Sequence, residues 1–234
     1  MLAQLLPFVA EAIKKPIDRL LVTDLSAQRI TAGGEGAAGG PTGGGPACTA
    51  AGDQSIRTVN GQKCIVSDGS GGAIVVWLDE RTGGSDVFAS RIAASGAIPP
   101  GWPADGLAIW TATNKQWWPS VAADGHGGAV FVWGDSRLPP GLNIYAQRRT
   151  GSGQIAAGWI PDGNAISTAS ADPPHPTLVG NDQVIVAWGG GGLPGTQSRD
   201  VLAQRIAVGA DSTILGGYWR FEEGTGTTVA DASG

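Results

Sequence analysis

Residues Asp68–Ile92 read DGSGGAIVVWLDERTGGSDVFASRI: a glycine turn, an apolar run ending in a tryptophan, a second turn, and a closing run that ends on Arg91 and Ile92. The plan returns over Asp124–Arg149, DGHGGAVFVWGDSRLPPGLNIYAQRR, and over Gly180–Ile206, GNDQVIVAWGGGGLPGTQSRDVLAQRI. The apolar runs end near Trp77, Trp133 and Trp188, while the closing runs open on Asp86, Asn143 and Asp200 at successive intervals of 57 residues. Self-similarity at a fixed period outranks local propensity as a guide to fold, so the chain is read as an array of repeats. The three recurring tryptophans are framework residues in that array.

Each copy has the pattern of strands. AIVVW, AVFVW and VIVAW are short, rich in β-branched residues and bounded by glycine, which suits central strands buried on both faces. DGSGG, DGHGG and GND supply residues that tolerate positive φ in a tight turn. DVFASRI, NIYAQRR, DVLAQRI and the earlier DLSAQRI alternate, with Val87, Ala89 and Arg91 opposite Phe88, Ser90 and Ile92, as expected of strands nearer an edge. A fourth strand is read in PACTA, LAIWTA and NAISTA, placed ahead of KCIVSD, PSVAAD and PTLVG. The expected fold is therefore all-β, with about three four-stranded antiparallel units at residues 47–93, 107–150 and 164–207, and an extra strand at 20–31.

The 39 glycines and 15 prolines recur at fixed offsets, so they read as turns instead of disorder. A net charge of −5 gives no electrostatic reason to expect nucleic acid or an anionic membrane as partner. No apolar run approaches the ~20 residues that a membrane-spanning helix needs. In the lead-in, residues 1–19, the spacing of Leu2, Leu5, Leu6, Val9 and Ile13 predicts a short amphipathic helix. The start is not basic and Glu11 interrupts the apolar stretch, so a signal peptide is not expected. Thr31–Pro46 is glycine-rich, but no Gly-Lys-Ser/Thr follows it, and it is read as a flexible loop.

Four short strands per repeat at this period describe a propeller blade better than a sandwich or barrel. The copies resemble a bacterial β-propeller repeat whose pattern is Asp-Gly-x-Gly-Gly-Ala-Ile-Val-x-Trp-x-Asp-x-Arg followed by Asp-Ile-Tyr-Ala-Gln-Arg-Ile, and the likeness covers Asp24–Ile206 within a repeat region read as residues 20–208. The third copy departs from it, with WGGGGLPG in place of Trp-x-Asp-x-Arg. The tail, residues 214–234, resembles the opening strand of laminin-G-like, concanavalin-A-like jelly rolls through Trp219, Phe221, Glu222, Glu223, Gly224, Gly226, Asp231, Ser233 and Gly234. These resemblances imply an extracellular or cell-surface location. They also imply a larger protein whose further blades and jelly roll complete what three blades would leave as an open arc.

Candidate chemistry is sparse. Asp79 with Asp86, and Asp135 with Asn143, flank turns in a way that invites calcium, yet calcium needs six to eight converging oxygens. Arg81 and Arg137 lie among them, so Asp79–Arg81 and Asp135–Arg137 are read as structural pairs at the surface, each contributing under ~1 kcal/mol. Asp68 and Asp124 read as turn formers. His126 and His175 stand in loops without metal-ligand spacing, and no cofactor is expected. Cys48 and Cys64 leave two readings open, a disulfide or two buried thiols. Glycoside hydrolysis needs two carboxyl groups across one bond, and no glutamate sits in a recurring apolar site, so catalysis is not expected.

Trp117 and Trp118 are read as lying outside the repeat's strands and are the leading ligand candidates, with Trp102 and Trp159 behind them. The expected function is a non-catalytic binding or adhesion module contacting carbohydrate or protein. Two alternatives remain: an accessory region of a secreted carbohydrate-active enzyme, or a spacer with no ligand.

Overall fold

The computed structural model describes residues 8–14, 23–30, 35–36, 44–56, 62–111, 115–138, 142–167, 174–178, 183–190, 200–208 and 217–220. They form an all-β chain, with no helix among the described residues and no closed barrel. Sheet 1 contains β1 (Phe8–Lys14), β2 (Thr23–Arg29) and β3 (Gly45–Cys48). Sheet 2 contains β4 (Gln54–Ser55), β5 (Ile65–Ser67), β6 (Ala73–Asp79), β7 (Asp86–Ile92) and β8 (Leu107–Trp110). Sheet 3 contains β9 (Gln116–Ala123), β10 (Ala129–Asp135), β11 (Asn143–Arg149) and β12 (Asn164–Ser167). Sheet 4 contains β13 (His175–Leu178), β14 (Gln183–Gly190), β15 (Asp200–Ala207) and β16 (Gly217–Arg220). Every pairing is antiparallel between strands adjacent in sequence, except that β4 and β5 share one edge of β6.

The pairing moves the unit boundary by one strand. β8 pairs with β7, and β3 pairs with β2, so the strand read as opening a copy instead closes the preceding sheet. For the same reason β7, β11 and β15 are interior strands, not edges. Val87–Ser90 and Ile144–Gln147 are buried, and the amide of Gln147 donates to the Ile160 carbonyl at 2.6 Å. The alternating polar residues Ser90 and Gln147 are thus buried and do not face solvent.

Two end segments differ from expectation. Phe8–Lys14, expected as helix, is β1, in register with Thr23–Arg29. A helix of this length is marginal without tertiary support, and β2 offers seven residues of unpaired backbone instead. Gly217–Arg220, expected to open a jelly roll, pairs with Leu202–Arg205 in the fourth place of sheet 4. Residues 221–234, which carry most of the jelly-roll likeness, lie outside the described residues, as does most of the Thr31–Pro46 loop.

Each sheet packs face to face on the next. Val75, Trp77 and Phe88 meet Leu25, Ala47 and Cys48 of sheet 1. The opposite face of sheet 2, with Ile74, Val76 and Val87, meets Phe131, Trp133 and Tyr145 of sheet 3. Sheet 3 repeats the arrangement, setting Val130, Val132 and Ile144 against Val186, Trp188 and Leu202. All seven residues of β6 and of β10 are buried, which is why their sequences are continuous apolar runs. The recurring Gly106 and Gly163 have φ of 89° and 74°, and a Cβ on either would lie 2.5 or 2.7 Å from the Trp77 or Trp133 ring. Only glycine satisfies both the backbone and the indole there.

Candidate functional site

The turns between paired strands are tied by carboxylates. The Asp68 Oδ1 accepts from the Ser70 and Gly72 N–H groups, each at 2.8 Å, while Oδ2 accepts from Arg91. Asp124 repeats this with His126, Gly128 and Arg148. Burial raises the Asp68 pKa, but these N–H groups and the guanidinium more than offset it, and the net shift is downward.

At the opposite end of the strands, the Trp77 indole N–H donates to Asp79 Oδ2 at 2.9 Å, and Arg81 grips the same carboxylate through Nε at 2.8 Å and Nη2 at 2.6 Å. The Arg81 guanidinium lies 4.2 Å from the Phe88 ring centroid and also donates to the Asp105 carbonyl at 2.7 Å. In sheet 3 the parts recur as Trp133, Asp135, Arg137 and Tyr145, with the Asp162 carbonyl accepting. Arg137 is also 4.1 Å from the centroid of Trp110 in sheet 2, so its guanidinium lies between aromatic rings of successive sheets. The Asp79 and Asp135 side chains have no exposure. These pairs are therefore internal staples and not the surface pairs expected, because the indole above them excludes water.

This arrangement occupies the carboxylates that a cation would need. Asp86 is buried and accepts from the Thr82 hydroxyl, and burial pushes its pKa upward. Among the described residues no three His, Cys, Asp or Glu side chains converge. Both cysteines are free and buried, so the disulfide reading is set aside. Burial lifts the Cys64 thiol to about 11, and Cys48 Sγ lies 3.2 Å from Arg81 Nη2. His126 stands in the turn as expected, whereas His175 is exposed but opens β13 instead of lying in a loop.

The tryptophans separate into two groups. Trp102 and Trp159 are buried, at 5% and 6% exposure, and the Trp102 indole N–H donates to the Gly151 carbonyl at 3.0 Å. They fill space between sheets and are not available to a ligand, contrary to expectation. Trp117 is 39% exposed and Trp118 is half-buried, with ring centroids 6.3 Å apart and planes at 47°. Both lie within β9, not outside the strands.

Their geometry comes from a bulge. Val132 pairs with Ser120 and Gly134 with Trp117, so Trp118 and Pro119 face the single residue Trp133. Trp118 takes φ of 51°, the only positive value at a described non-glycine residue. A bulky residue in the left-handed region costs of order 1–3 kcal/mol unless its surroundings hold it there. Here Gln62 Nε2 donates to the Trp118 carbonyl at 2.9 Å. The indoles pack close over Gly134: a Cβ on it would make ordinary van der Waals contact, 3.5 Å from the Trp118 ring and 3.6 Å from Trp117 Cβ. In sheet 2 the equivalent pair is Ser55 with Leu78, so this aromatic feature belongs to sheet 3. A bulge is invisible to sequence periodicity, although the paired absence of a side chain at Gly134 and gain of indoles at 117 and 118 was a readable signal.

No family model, curated protein or solved structure matches the chain.

Proposed function

We propose that this chain is a non-catalytic binding module of a larger bacterial surface or secreted protein, in which Trp117 and Trp118 contact carbohydrate. The observation that carries the reading is an indole pair, Trp117 exposed and Trp118 half-buried, held at a strained bulge and absent from the equivalent place in sheet 2. Framework residues recur with the repeat; a ligand site has no need to. Backbone strain persists where surrounding contacts enforce it, and functional sites are where it is commonly retained. The indole faces offer the amphipathic surface on which a pyranose ring stacks.

We read the stacked sheets as consecutive blades of a propeller-type array. Supporting this, the leading edges of sheets 2 and 3 touch directly: the Val121 N–H donates to the Lys63 carbonyl at 2.9 Å, and Ser120 Oγ to the same oxygen at 3.1 Å. Sheets converging along their first strands are what a radial arrangement requires. The binding reading is favoured over catalysis because Asp68, Asp79, Asp124 and Asp135 are each committed to an arginine.

A glycan array probed with the chain and with a Trp117→Ala, Trp118→Ala double variant tests the proposal. The variant is expected to keep its fold, measured by thermal unfolding, and to lose glycan binding. Gly134→Leu is expected to weaken binding by crowding the same indoles. Equal binding by all three proteins would remove the site, and absence of binding by the parent chain would favour the spacer.

A further inference from the structure

The tilt of the two rings and the cation beside them point to a narrower ligand class, an inference that rests on the carbohydrate-binding reading. We propose that the Trp117–Trp118 site takes a single polysaccharide strand bearing carboxylate or sulfate groups, and not the flat face of a neutral crystalline polysaccharide.

Two indoles lie flat on one planar surface only when their planes are parallel. At 47° and 6.3 Å between centroids, Trp117 and Trp118 cannot both do so, and they present a notch that fits the curved side of one chain. The gap cannot simply flatten, because the tilt follows from the bulge and from the φ of 51° at Trp118, with its carbonyl fixed by Gln62.

The charged side chain set against the Trp117 ring is a cation. Lys115 Nζ lies 6.0 Å from the Trp117 ring centroid. Lys115 is exposed, and among the described ion pairs none includes it. Its backbone is held in place, since Ser136 Oγ donates to the Lys115 carbonyl at 3.2 Å. Two of the neighbouring acids are paired off: Asp79 with Arg81 and Asp135 with Arg137. Asp86 is buried and accepts from the Thr82 hydroxyl, so it presents no carboxylate at the surface. Glu80, the one exposed acid of these two turns, stands in the turn after β6, with Ser85 Oγ 3.5 Å from its carboxylate. An ammonium over a ring face is attracted to it by about 0.5–1 kcal/mol at an exposed site. That attraction keeps the charge beside the surface on which a sugar would stack. The chain's net charge of −5 repels polyanions at long range, but salt screens that repulsion beyond ~8 Å at physiological ionic strength.

The test uses one backbone in two charge states: polygalacturonate and its methyl-esterified form, with a sulfated galactan and microcrystalline cellulose alongside. Affinity electrophoresis or calorimetry with the full chain is expected to show about tenfold tighter binding to polygalacturonate than to the ester at low salt. That preference is expected to collapse at high salt and in Lys115→Gln, while binding to the ester is unchanged by the substitution. Binding to the sulfated galactan alone would keep the anionic class and assign the group as sulfate. Equal affinity for polygalacturonate and its ester, or retention on cellulose, would overturn this inference and leave the binding module standing. No binding to any of the four, or binding indifferent to Trp117→Ala with Trp118→Ala, would overturn both.

Discussion

Trp133 and Trp117 lie on neighbouring strands of one sheet, and they behave as different kinds of residue. Trp133 is fully buried, rests against Gly163 and donates to Asp135, and it has counterparts in Trp77 and Trp188. Trp117 is 39% exposed, pairs across β10 with Gly134, and has Ser55 as its counterpart in sheet 2. The contrast separates two demands on the same side chain. An indole that joins sheets must recur wherever sheets stack, whereas an indole that meets a ligand is free to appear once.

The largest break in that contrast should come from the interior. Trp133→Ala removes a fully buried ring between sheets 2 and 3 and is expected to cost about 3–5 kcal/mol, read from urea unfolding. Trp117→Ala should cost under about 1 kcal/mol by the same measurement. If the two losses were equal, the distinction between frame and display would fail. Asp135→Ala comes next. It leaves the Trp133 indole N–H without its acceptor and Arg137 without its carboxylate, although Arg137 keeps 18% exposure and the Asp162 carbonyl. A loss of about 2–3 kcal/mol is expected, below the full cost of breaking a wholly buried pair.

Two carboxylates sharpen the point through pH. Asp68 has a lowered folded pKa, so its contribution is present above the ordinary carboxylate range and is lost as pH falls through the folded value. Asp86 has a raised folded pKa, owing first to burial, so its ionisation opposes folding at neutral pH and acid relieves that cost. Asp68→Asn should therefore destabilise the chain at neutral pH and reduce the acid-induced loss of stability. Asp86→Asn should be neutral or stabilising by up to about 1 kcal/mol at neutral pH. Sheet 3 already makes that exchange: Asn143 occupies the equivalent place and donates to the Leu138 carbonyl at 2.9 Å. Denaturant midpoints across an acid series would separate the two signs.

What the sequence disclosed follows the same division. The recurring turns, the continuous apolar strands and the framework role of Trp77, Trp133 and Trp188 were legible, because burial on both faces and tight turns leave compositional marks. The sheet boundaries were not, since strand pairing is a choice between neighbours, and LAIW is equally strand-like whichever partner it takes. Helical spacing in the lead-in misled because Phe8–Lys14 is short enough for backbone pairing with β2 to decide. Trp102 and Trp159 were candidates because an aromatic face can stack on a sugar ring, yet recurrence at the repeat interval was itself the sign of framework. Trp117 and Trp118 were picked out as lying outside the repeat's strands, although both are in β9; the bulge that orients them depends on register with β10, which no single strand encodes.

The smallest expected effect is also the most discriminating. Glycine ordinarily costs a strand about 0.5–1 kcal/mol relative to alanine, through the entropy of the unfolded chain. At position 118 the order should reverse. With φ at 51°, alanine inherits the left-handed penalty that Trp118 bears, whereas glycine does not. Trp118→Gly and Trp118→Ala both remove the half-buried ring, so lost packing is common to the pair and cancels in the comparison. Trp118→Gly is therefore expected to unfold at higher urea than Trp118→Ala, by about 1 kcal/mol, with both variants losing the ligand contact. The reverse order would mean that β9 carries no strain at its bulge, and the argument that this position was shaped for binding would lose its physical basis.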